Sequence, residues 1–126
     1  MTQRSILSAM LVALAACSTT GGPRVAQTRN VITAEEVASV NVGTAYEVIE
    51  QLRPQFFQSR GPSSIRSNTP ATPIVYVNGV RYGEIESLTS IRAMDVEEIR
   101  LLSASDATTR YGTGHVGGVI EVRTKS

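Results

Sequence analysis

The stretch Val96–Lys125, VEEIRLLSASDATTRYGTGHVGGVIEVRTK, decides how the rest of the chain is arranged. Ile99 and Leu101 alternate with Arg100 and Leu102, and near the end Ile120 and Val122 alternate with Glu121 and Arg123. This is the period-two pattern of strands with one apolar face. Between the two, Ser103 or Ser105 is placed to cap a short helix through Asp106 to Tyr111, and Gly112 supplies the left-handed residue that commonly ends one. Strand, crossover helix and strand predict a βαβ-like unit.

The spacing of Gly112, Gly114 and Gly117 matches GxGxxG. Dinucleotide binding needs a strand before that motif and a helix after it, so that the pyrophosphate meets a helix amino terminus. Here the helix precedes and the strand follows. The glycines therefore read as turn chemistry: a helix stop at Gly112 and close backbone approach near Gly117 and Gly118.

The run IRLLSASDATTRYGTGHVGGVIEVRTK resembles the end of the plug domain of TonB-dependent outer-membrane receptors, its markers being the Tyr111–Gly112 pair and the closing GGVIEVRTK. Upstream, PIVYVNGV at Pro73–Val80 resembles the strand and turn that open that domain's conserved half. The likeness covers residues 70–125 and, less closely, Val31–Arg53. It implies a plug-like fold, an outer-membrane setting, and loops that meet a ligand or a barrel wall.

At 126 residues the chain has room for one folded domain beyond its front segment. The balance of 12 basic against 11 acidic residues, with no basic stripe, argues against an electrostatic nucleic-acid binder. The front segment reads as targeting: Arg4 is followed by the apolar run Ile6–Ala16, and Leu14, Ala15, Ala16 and Cys17 resemble the lipobox of bacterial lipoproteins. That run is shorter than the roughly 20 residues a membrane span requires. Residues 1–17 are thus expected to be a lipoprotein signal with Cys17 acylated. By resemblance to other bacterial lipoproteins, Ser18 after the cysteine points to the outer membrane. Residues 18–30, polar and containing Gly21, Gly22 and Pro23, read as a flexible tether.

The folded domain is expected over 31–126. Thr33 with Glu36, and Thr44 with Glu47, have capping-box spacing, and Ala45, Val48, Ile49 and Leu52 fall on one helical face that ends before Pro54. Gln55–Thr72 has no period and reads as a long loop, a type that is usually functional or disordered. Ile74–Val77 reads as a central strand buried on both faces, and Asn78–Gly79 as a type I′ turn into a short partner at Val80–Tyr82. Ile85, Leu88 and Ile91, three apart, read as irregular turns over the sheet edge.

Together these predict an α+β fold: a small mixed sheet of four strands, two short N-terminal helices on one face and a short crossover helix. Catalytic chemistry finds no purchase. Glu97 and Glu98 are adjacent in a strand and point to opposite faces, and no serine sits in a nucleophile elbow. His115, the sole histidine, reads as an exposed turn residue; without further Cys or His ligands, no metal site or cofactor is expected.

The function expected is that of a non-enzymatic, lipid-anchored plug-like module of the outer membrane, without a barrel of its own, facing the periplasm. It binds a protein partner or a ligand in a TonB-dependent uptake system. The alternative is a structural envelope lipoprotein with no transport role. Binding is expected at the Gln55–Thr72 loop and the glycine-rich turn, with Phe56, Phe57, Arg60, Arg66 and His115 as candidates, since binding groups concentrate on loops held by a rigid scaffold.

Overall fold

The computed structural model describes residues 29–58, 62–64 and 67–126. Cys17, Arg60 and Arg66 lie outside them. Five strands form one sheet, β1 (Val31–Thr33), β6 (Val96–Leu102), β7 (Val119–Thr124), β4 (Ile74–Val77) and β5 (Val80–Gly83), in that spatial order. Three helices accompany it, α1 (Ala34–Ser39), α2 (Ala45–Leu52) and α3 (Ala104–Tyr111).

The sheet is mixed, because β7 runs antiparallel to β6 and parallel to β4. β7 is its centre, and Val119, Ile120 and Val122 are fully buried. Ile74–Val77, expected as a central strand buried on both faces, is an interior strand between β7 and β5, with Val75 and Tyr76 buried on opposite faces. The fifth strand, β1, was not anticipated. Three residues carry too little periodicity to announce a strand, and Val31–Thr33 is held by its antiparallel register with Glu98–Arg100.

Both capping boxes form. Thr33 Oγ1 accepts from Glu36 N at 3.4 Å while Thr33 N donates to Glu36 Oε2 at 3.0 Å; Thr44 and Glu47 repeat the exchange at 3.3 and 3.1 Å. Each satisfies amides that the first helical turn would leave bare. α1 and α2 cover one sheet face, and Ile32, Val48, Ile49, Val75, Ile99 and Ile120 are wholly buried between them and the sheet. A buried aliphatic side chain of this size contributes about 1.5–3 kcal/mol. Ile85–Ser90 forms a 3₁₀ helix, and Leu88 is buried in the same core. Its three-residue spacing follows from 3₁₀ geometry, in which i and i+3 eclipse.

The strand–helix–strand unit differs from the parallel βαβ form in that β6 and β7 are antiparallel neighbours, with Leu102 opposite Val119. Eight helical residues span only about 12 Å, and the following turn returns the chain to the end of the sheet it left. Gly118 makes that return possible: its φ is +84°, and a β-carbon there would lie 2.5 Å from the Leu102 carbonyl oxygen. Gly117 is equally confined, since a β-carbon would collide with the carbonyl of Thr72 and lie 2.7 Å from that of Ala71.

The Asn78–Gly79 turn has φ of 51° and 83°, the paired positive values of type I′. Gln55–Thr72 is more ordered than a plain loop. It opens with a 3₁₀ turn at Pro54–Phe57 and contains two short antiparallel strands, β2 (Pro62–Ser64) and β3 (Ser67–Pro70), as a separate two-stranded sheet. Proline and asparagine have low strand propensity and neither segment alternates apolar with polar residues, so pairing there leaves no sequence signal.

Candidate functional site

The second face of the sheet carries the polar chemistry. Register places Arg100 and Tyr76 on either side of Glu121, and Glu98 opposite Arg123. Because α3 is short, it covers only the end of this face nearest Leu102 and Val119, packing Ala107 and Tyr111 against Tyr76 and Val119. The uncovered remainder is a groove of about 670 Å³ lined by Asn78, Gly79, Glu98, Arg100, Arg110, Tyr111, Glu121 and Arg123.

Glu121 is its fixed point. The carboxylate sits in the central strand, only 6% exposed, and both oxygens are engaged. Oε2 accepts from Arg110 Nη1 at 3.0 Å and Oε1 from the Tyr111 hydroxyl at 2.8 Å. A buried carboxylate requires such partners, since an unpaired one costs several kcal/mol. Burial, and then the hydrogen bond to Glu121, pushes the Tyr111 hydroxyl pKa up to about 12. Beside this pair, Arg100 donates to Glu98 Oε1 through Nε at 3.1 Å and forms an ion pair with the same oxygen, Nη2 lying 2.8 Å away.

Behind Tyr111 lies a buried aromatic stack. Tyr76 and Tyr111 are stacked with centroids 4.0 Å apart, and His115 tilts against both. His115 is only 6% exposed, so it is not the exposed turn residue expected from its glycine-rich surroundings. Nδ1 donates to the Gly112 carbonyl at 2.8 Å, leaving Nε2, 2.9 Å from the Tyr76 hydroxyl, as that group's acceptor. A carbonyl only accepts, which fixes this tautomer of the neutral ring. His115 thereby pins the turn to the sheet.

Of the sequence candidates, Phe56, Phe57 and His115 fall among the described residues, and these three are not brought together. Phe56 is 1% exposed within the core under the helices, where its ring has no free face. Phe57 is half-buried and stacks on Tyr46 with centroids 4.8 Å apart. His115 lies behind the groove. The groove residues themselves escaped the sequence reading, although one signal was present: the non-core positions of both terminal strands hold charges, Glu98 and Arg100 in one, Glu121 and Arg123 in the other. Only the β6–β7 pairing turns them into a single surface. Among the described residues, no group of three or more His, Cys, Asp or Glu is arranged to hold a metal ion, and no helix is long and apolar enough to cross a membrane.

A mixed sheet with this strand–helix–turn–strand unit fits a plug-type α+β domain. The family model of the TonB-dependent receptor plug domain matches residues 23–119, and the chain belongs to that family. Among curated proteins none matches the chain. The family is that of outer-membrane receptors, in which plug domains sit within barrels.

Proposed function

We propose that this protein is a lipid-anchored plug module of the outer membrane that works by binding rather than catalysis, engaging a barrel or another protein of a TonB-dependent uptake system. Family membership supports the transport setting. The observation that carries the binding reading is the groove on the α3 face, where Glu121 is paired with Arg110, Glu98 with Arg100, and Arg123 projects beside them. The Glu121 carboxylate that a general acid or base would need is tied up by Arg110 and Tyr111. The lipobox-like LAAC at Leu14–Cys17 supports anchoring by acyl chains on Cys17, each buried methylene contributing about 0.8 kcal/mol. The stretch ahead of Arg29, whose neighbour Asn30 already accepts a hydrogen bond from Leu101 N, then spans at most about 40 Å between Cys17 and the folded domain.

The test is a crosslinking pulldown from intact envelopes. A stoichiometric outer-membrane uptake protein crosslinked through positions around the groove supports the proposal. Uniform recovery with no stoichiometric partner would favour the structural-lipoprotein alternative and sink it.

A further inference from the structure

We infer that the groove is an anion site: it takes a small ligand bearing a carboxylate or phosphate group, with Arg123 as the principal contact and Arg110 as the second. This deepens the reading of the groove as the binding face and rests on it.

Three guanidiniums and two carboxylates line the groove. Both carboxylates are committed within the protein: Glu121 to Arg110 and Tyr111, and Glu98 to Arg100. The Asn78 amide is committed too, donating to Thr124 Oγ1 at 2.8 Å and accepting from Thr124 N at 3.0 Å. The surplus is on the cationic side. Arg123 is exposed, projects from the central strand opposite Glu98, and among the described residues makes no ion pair or side-chain hydrogen bond. Arg110 spends one of its terminal nitrogens on Glu121 and is 54% exposed, so it has donors to spare.

A guanidinium is planar and permanently charged, and its paired N–H groups match carboxylate and phosphate oxygens. The flanking Glu98 and Glu121 limit the ligand. An extended polyanion laid along the face would meet both carboxylates, whereas an anionic group on a compact body can be held by Arg123 and the spare nitrogens of Arg110. A volume of about 670 Å³ suits such a body, lying within the roughly 300–1,000 Å³ typical of small-molecule clefts.

The experiment is an NMR titration of the full chain in non-ionic detergent, following the arginine Nε–Hε resonances. Inorganic phosphate, citrate and the short-chain lipid dihexanoyl phosphatidylglycerol are the probes. A saturable shift of the Arg123 and Arg110 signals is expected, weakened about tenfold or more in Arg123→Gln and unchanged in Arg92→Gln, which lies outside the groove. A stronger response to citrate or phosphate assigns the site to a soluble solute, and a stronger response to the lipid phosphodiester assigns it to a headgroup. Retained thermal stability of Arg123→Gln shows that its loss is local. The inference is overturned if Arg123→Gln binds as well as the parent, if Arg92→Gln loses as much, or if no saturable shift develops by about 10 mM. An intact pulldown partner with no anion response refutes this inference alone; a lost partner with anion binding retained refutes only the partner reading.

Discussion

Tyr111, the last residue of α3, donates its hydroxyl hydrogen to Glu121 Oε1 in the central strand across 2.8 Å. Ten residues separate the two, and the bond spans the glycine-rich turn that connects their elements. It fastens the helix to the sheet and closes one wall of the groove. Arg110 reaches the other oxygen of the same carboxylate, so a single side chain holds the last turn of the helix.

Replacing Glu121 with Ala should therefore loosen α3. The Tyr111 hydroxyl loses its acceptor in a partly buried place, while Arg110 is exposed enough to find water. A cost of about 1–3 kcal/mol is expected, read as a lowered denaturation midpoint, with hydrogen exchange accelerated in α3 before the rest of the domain. Equal acceleration throughout the sheet would argue against this local role.

Tyr111 also sets a pH dependence. Its folded pKa of about 12 lies above the ordinary 10.0, so between those values the unfolded chain releases a proton that the folded chain keeps. The stabilisation is fully present below pH 10 and is lost as the pH rises through 10 toward 12. Tyr111→Phe should flatten that decline relative to the parent. Stability curves that fall in parallel over this range would show the hydroxyl to be uncoupled from folding.

The glycines make different demands. Gly117→Ala drives a methyl group into the Ala71 and Thr72 carbonyls, an overpacking expected to cost about 1–3 kcal/mol or more. Gly112 has open space around its missing side chain but sits at φ 89° and ψ −172°, a region essentially reserved for glycine. Gly112→Ala should cost about 1–3 kcal/mol through backbone strain, and Gly112→Val at least as much, because a β-branched side chain fits positive φ worse still. A thermal midpoint unchanged in both variants would show that the turn does not hold this backbone conformation.

Cys17→Ala should abolish palmitate incorporation and release the protein from membranes or leave it unprocessed. The motive is LAAC at the end of a short apolar run. Membrane retention with continued labelling in the variant would remove the lipid anchor from the proposed function.

Local chemistry was enough to read much of this protein from its sequence. Capping boxes at Thr33–Glu36 and Thr44–Glu47, the Asn78–Gly79 hairpin, the helix stop at Gly112 and the alternating terminal strands each depend on residues within a few positions of one another, so their signatures are contiguous. The plug resemblance drew on those same stretches. What tertiary structure decided were the features set by partners distant in sequence. Val31–Thr33 is a strand only because β6 offers it an edge, and that added strand makes β7, with two strands on either side, the middle of the sheet. His115 is buried because Tyr76, 39 residues away, is there to bond it. The groove depends on the same physics: Glu98, Arg100, Glu121 and Arg123 read as ordinary polar-face positions in two separate strands, and become one surface only when antiparallel register sets them side by side and α3 ends before covering them.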